Sequence, residues 1–173
     1  VPVSTVARHV RLPQPSMTLT YRSPTASDIL HVAENMRQED ILEVAASHGH
    51  TPLQALAFAV TASDRSFAAM HDGSPVCIFG FSQHAEGIAS VWLLGTDALV
   101  APTFCRTFLR EARRISDEWS ATFVTIFNFV DVHAVTTRRW LGWLGFRESG
   151  VESAYGFAKT PFVRVTKTPC ATP

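Results

Sequence analysis

Between Pro102 and Phe129 the sequence changes its hydrophobic period once, and that change admits few architectures. From Pro102 onward, Phe104, Phe108, Ala112, Ile115 and Trp119 recur every three or four residues, with Arg106, Arg110, Arg113 and Arg114 at the other positions. This is the pattern of an amphipathic helix. Phe123 to Phe129 is then almost entirely apolar, aromatic or β-branched. Such a run predicts a strand buried on both faces and paired in parallel after a crossover helix. A strand that needs cover twice calls for helices on both faces of a sheet.

The flanking segments fill in that plan. Leu19 to Arg22 reads as a short strand, and Ser23 to Asp28 supplies cap residues for a helix through Met36. Gln38 to Ser47 and Thr51 to Ala62 read as further helices, separated by His48-Gly49-His50, with Pro52 at a first-turn position. Phe67 to His71 and Val76 to Phe81 flank the Asp72-Gly73 dipeptide and predict a hairpin, and Ile88 to Gly95 is a third strand of that meander. Val135 to Leu144 reads as a last helix, stopped by Gly145, followed by strands over Arg147 to Phe157 and Phe162 to Thr166. Gly142, between Trp140 and Trp143, is expected to permit close helix packing. The expected fold class is α+β, a mixed, mostly antiparallel sheet with helices on both faces.

With 173 residues, of which 46% are hydrophobic and 17% charged, the chain has material for one packed domain and not for two. The expected division is an extended arm over 1–18, which carries Pro2, Pro13 and Pro15, a domain over 19–166, and a tail over 167–173. Fifteen Lys and Arg balance fifteen Asp and Glu, so there is no global field to draw the chain to nucleic acid or an anionic membrane, and no specific nucleic-acid binding is expected. The acids are concentrated locally: Asp28 to Glu43 holds five of them and one Arg. No segment approaches the ~20 apolar residues of a membrane span. Cys77, Cys105 and Cys170 are odd in number and far apart, and read as free thiols in a reducing, intracellular setting. His48 and His50 lack a third ligand at metal spacing, so no metal site is predicted.

The element order, together with Val135-Thr-Thr-Arg-Arg-Trp-Leu-Gly-Trp-Leu-Gly-Phe146, resembles the GNAT N-acetyltransferase fold, whose last helix typically ends in a tyrosine-x-x-leucine-glycine-phenylalanine phrase. Leu144-Gly145-Phe146 fits its end, while Leu141 stands where the tyrosine would be. The chain also resembles GNAT-like proteins of short-tailed bacteriophages, encoded among head and internal virion genes. That resemblance runs from about Tyr21 to Phe162 through Ala33-Glu-Asn-Met-Arg37, Thr51-Pro-Leu-Gln-Ala55 and Trp92-Leu-Leu-Gly-Thr-Asp97.

The GNAT resemblance implies a coenzyme A diphosphate held on backbone N–H groups of a Gly-rich turn after the fourth strand. Here that turn is Gly95 to Pro102, with one glycine, no basic lead, an acid at Asp97, and a proline that has no N–H to give. The family's asparagine opening the final helix is replaced by Ala134. The first expectation is therefore a structural or assembly component of a phage virion that has lost acetyl-CoA binding and meets other virion proteins through residues 1–18 and an exposed aromatic or Arg-rich surface. It would reside in the virion or the host cytoplasm. The alternative is an acetyl-CoA-dependent N-acetyltransferase acting on a protein or small-molecule amine. In that case Asp97, Asp131, His133 and Tyr155 are the candidate catalytic groups, and Leu94, Thr96 and Arg106 the candidate cofactor contacts.

Overall fold

Seven strands form one sheet in the order β1-β2-β3-β4-β5-β7-β6. The computed structural model describes residues 19–102 and 104–169; the expected arm and the last four residues of the expected tail lie outside them. The strands are β1 (Thr20–Arg22), β2 (Arg65–His71), β3 (Ser74–Ala85), β4 (Ile88–Gly95), β5 (Thr125–Asp131), β6 (Arg147–Tyr155) and β7 (Thr160–Lys167). Every pairing is antiparallel except β4 with β5, which the crossover helix requires to be parallel. Asp72 and Gly73, both at positive φ, make the tight β2–β3 turn.

Helices α1 (Ala26–Glu34), α2 (Gln38–His48) and α3 (Pro52–Ala62) cover one face, and α4 (Cys105–Phe123) and α5 (Val135–Trp143) the other. Thr25 and Thr51 cap α1 and α3 with capping boxes completed by Asp28 and Gln54. Gly49 closes α2 in the left-handed conformation. Even-numbered residues of β4 send side chains to the α1–α3 face, where Leu94 and Trp92 pack with Val32, Leu56 and Ile78. Odd-numbered ones, Val91 and Leu93, join Phe108, Ile115 and Trp119 from α4 on the other face.

Four expectations need correction. The helix read from Pro102 begins at Cys105, because a 3-10 turn over Asp97–Val100 intervenes and tucks Leu99, fully buried, into the core. β5 runs two residues later than the sequence pattern predicts, and Phe127 and Phe129 are only half-buried on the α1–α3 face, where the sheet opens. β7 extends through Lys167, whose buried ammonium donates to Leu144 O, Ser116 Oγ and Asp117 Oδ1, so this residue belongs to the domain core. Among the described residues, apart from the helix's own neighbouring backbone, nothing approaches within 4 Å of the position a Cβ would take at Gly142, so close packing among them does not account for that glycine. Among the described residues no helix is long and apolar enough to cross a membrane, and no cluster of three metal-ligating side chains is present.

Candidate functional site

β4 and β5 pair only at Ile88–Thr125, Ala89–Ile126 and Ser90–Phe127, then part while both strands continue. The opened edge exposes backbone groups that a continuous ladder would have satisfied, and α2 crosses it to supply partners. Asp40 Oδ2 accepts from Gly95 N at 2.9 Å, and Glu43 Oε2 accepts from Asp131 N at 3.2 Å. Spaced one turn apart, the two carboxylates reach opposite sides of the gap.

The β4 end of the gap is closed by the chain itself. Met36 bridges Thr96, Arg37 N donates to Gly95 O at 2.9 Å, and the Arg37 guanidinium pairs with Asp40 and lies 5.1 Å from the Trp140 ring. Both Arg37 and Asp40 are buried. Since the N–H and C=O of Gly95 both point away from β3, strand alternation aims those of Leu93 into the open part of the gap.

Two clefts meet there. On the α4–α5 side a cleft of about 150 Å³ is lined by Leu93, Phe108, Ala112, Trp140 and Leu141 among others. This is room for one benzene-sized group. On the α1–α3 side a cleft of about 460 Å³ lies among Phe58, Trp92, Phe127, Phe129 and Tyr155. Glu43, Val91, Trp92, Leu93 and Asn128 border both.

Glu43 is the ionisable group at this junction. Burial pushes its carboxyl up to about 8; the Asp131 amide pulls the other way, while Asp40, Asp131 and Glu39 add to the rise. A carboxyl poised near neutrality at the meeting of two clefts is suited to taking a proton from a bound ligand. Tyr155, beside it, is raised by burial and by Glu43, and so keeps its proton. Its ring stacks on Phe129 at 4.6 Å. Burial and His50 lower His48, which favours the neutral ring.

The β6–β7 tip docks on the end of α2, next to Tyr155, which lines the larger cleft. Phe157 N donates to Ser47 O and Ala158 N to Ala46 O. Gly156, at φ 63°, lies against the Ser47 backbone so closely that any Cβ would collide with it.

The residues singled out from sequence are dispersed. Tyr155 and Leu94 line the larger cleft. Asp131 meets Glu43 through its backbone, and its carboxylate accepts from His133 N, whose exposed ring takes no part in the cleft lining. Thr96 is buried and donates to Val76 O. Asp97 opens the 3-10 turn and Arg106 is exposed on α4, away from the junction. Glu43 was missed. The signal open to a reader was a pair of carboxylates, Asp40 and Glu43, flanking the apolar positions Ile41 and Val44 on the inward stripe of a short helix.

No protein-family model matches the sequence, and no curated protein matches it. Its architecture is shared with solved structures. An acetyltransferase of the GNAT family from Bacillus anthracis matches with a TM-score of 0.66 and 10% identity, over 89% of this chain and 96% of that one. A GNAT superfamily phosphinothricin acetyltransferase from Sinorhizobium meliloti, solved in complex with AcCoA, matches with a TM-score of 0.62 and 14% identity, over 91% and 93%. The chain has the GNAT fold, as its element order and last-helix phrase led one to expect.

Proposed function

We propose that the chain transfers an acyl group from a thioester to an amine, with Glu43 as the proton acceptor. The observation that carries this reading is the position of Glu43 where two clefts on opposite faces of the opened sheet meet. An ammonium in the larger cleft gives one proton to Glu43 and becomes a neutral amine. Its nitrogen then bonds to the acyl carbon presented from the smaller cleft, the Leu93 N–H faces the carbonyl oxygen as charge builds on it, and the carbon–sulfur bond breaks. The departing thiolate takes the proton held by Glu43, whose affinity for it, near pH 8, is close to that of an ordinary thiol, and the carboxylate so regenerated takes the second proton from the new amide nitrogen and passes it to solvent.

The similar structure from S. meliloti is a complex with AcCoA, so the turn after β4 has to be tested for a diphosphate. Leu99 N is bonded to Thr96 O, Ala101 N to Ala98 O, and both Phe104 N and Cys105 N to Ala101 O. Gly95 N is held by Asp40, Pro102 has no N–H, and Asp97 adds a negative charge. The described groups of this turn do not fit a diphosphate, so the donor is defined by its thioester and acyl group and not by a nucleotide. Acetyl-CoA and S-acetylpantetheine are therefore expected to bind within about threefold of each other in calorimetric titration, because these amides are already bonded within the turn. A hundredfold preference for acetyl-CoA would overturn this account of the turn.

The activity is tested by thiol release and by mass of the product when the chain is incubated with S-acetylpantetheine and simple amines. kcat/KM is expected to climb with pH until about 8, since Glu43 must lose its proton before it can accept another, and Glu43→Gln is expected to lack that limb. A limb unchanged in the variant would assign it to the amine alone and remove Glu43 from the reaction. The phage-assembly reading rests on the unsuited turn after β4, on residues 1–18, which lie outside the described ones, and on a bacteriophage likeness; the two solved structures compared above are acetyltransferases, which favours catalysis.

A further inference from the structure

The proposed transfer leaves open which amine the larger cleft takes, and its walls are unusually selective. We infer that it accepts a singly charged amine carrying a flat aromatic body and no carboxylate, an arylalkylamine. The inference rests on the acyl-transfer reading only for what happens after binding.

Charge supports this first. Among the described residues lining the cleft, Glu43 is the single acid and there is neither Lys nor Arg. One ammonium finds one carboxyl. The further ammonium groups of a polyamine would have no acid partner and would lie along a rim formed by His48, His50 and His84. An amino acid would bring its carboxylate toward a floor surrounded by Asp40, Asp131 and Glu39, where like charge repels it. Arg164 lies 5.5 Å from the Phe127 ring but outside the lining.

Shape supports it second. Phe129 and Tyr155 stack as a panel, and Trp92 faces the same space with its indole fixed by a 2.8 Å hydrogen bond to Ser63 Oγ. Phe58, 56% exposed, stands at the cleft with His48 and His50 against its ring. Aromatic walls favour a flat apolar body by area and by offset or edge contacts, and favour the ammonium beside them through the ring quadrupole. The 460 Å³ volume falls within the range of small-molecule sites and exceeds what a short alkylamine fills.

The test is a calorimetric titration of the full chain at pH 8 with tryptamine, phenethylamine, spermidine and phenylalanine, and a parallel transfer assay with S-acetylpantetheine. Tryptamine and phenethylamine are expected to bind at least about 30-fold more tightly than the other two, the order of one aromatic panel plus one matched charge. Phe129→Leu is expected to lower tryptamine affinity about tenfold while leaving spermidine unchanged. Tighter binding of spermidine or phenylalanine, no binding of the arylalkylamines, or indifference to Phe129→Leu would overturn the inference. The two readings fail separately: arylalkylamines that bind without being acylated refute transfer and support the inference, whereas spermidine acylated in preference to them supports transfer and refutes the inference.

Discussion

Glu43→Gln is expected to lower kcat for amine acylation by about 10²- to 10³-fold, the loss typical of removing a positioned proton acceptor. The variant is nearly isosteric, and its amide oxygen can still accept from Asp131 N, so the gap between β4 and β5 keeps its closure. The same change is expected to stabilise the fold. A carboxyl whose folded value is raised to about 8 from an ordinary 4.5 binds more protons folded than unfolded throughout that window. Its contribution to stability is full below about pH 4.5 and is lost as pH rises through 8. At pH 8 the ionising group therefore opposes folding, and replacing it is expected to gain on the order of 2 kcal/mol after allowance for its partial contact with solvent. Thermal melts at pH 5 and pH 8 check this, with the gain confined to the higher pH. A variant that is both inactive and less stable at pH 8 would mark Glu43 as a structural residue.

Asp40→Ala is expected to cost about 3 to 5 kcal/mol, the largest stability loss foreseen here. Arg37 is 5% exposed and Asp40 6%, and their guanidinium and carboxylate meet through hydrogen bonds of 3.1 and 2.6 Å. Removing the carboxylate leaves a buried cation without its counter-charge and frees Gly95 N, which Asp40 holds at 2.9 Å. Arg37→Met combined with Asp40→Ala is expected to recover a large part of that loss, since the uncompensated charge goes and a methionine can fill the space over Trp140. Urea unfolding of the two variants and the wild type decides the matter. Equal midpoints for single and double variants would show that the pair's charge is not what stabilises the strand end.

Much of the frame was legible because it depends on neighbours in sequence. The 3.6-residue stripe of Phe108, Ile115 and Trp119 predicted α4, Asp72-Gly73 predicted a turn that needs two positive φ angles, and Gly145 marked the end of α5. The helix start was misread because Leu99 is drawn into the core, an event that the Gly95–Pro102 composition does not announce. Phe127 and Phe129 were read as covered on both sides, yet β5 leaves β4 just where they stand, and period alone cannot tell a covered strand from one that borders a cleft. Glu43 was illegible for a related reason. Its hydrogen-bond partner is 88 residues away, and its charge state is set by burial beside a gap that exists only once seven strands have assembled. Tyr155, by contrast, was picked out from sequence as a distant proton donor and lies against the cleft, beside Phe129.

Diffraction from crystals grown with tryptamine tests the central claim most directly. The account predicts the amine nitrogen within about 3 Å of a Glu43 carboxyl oxygen, with the indole against Phe129 and Tyr155. Tryptamine ordered elsewhere on the chain, or seated in the cleft with its nitrogen turned away from Glu43, would contradict it.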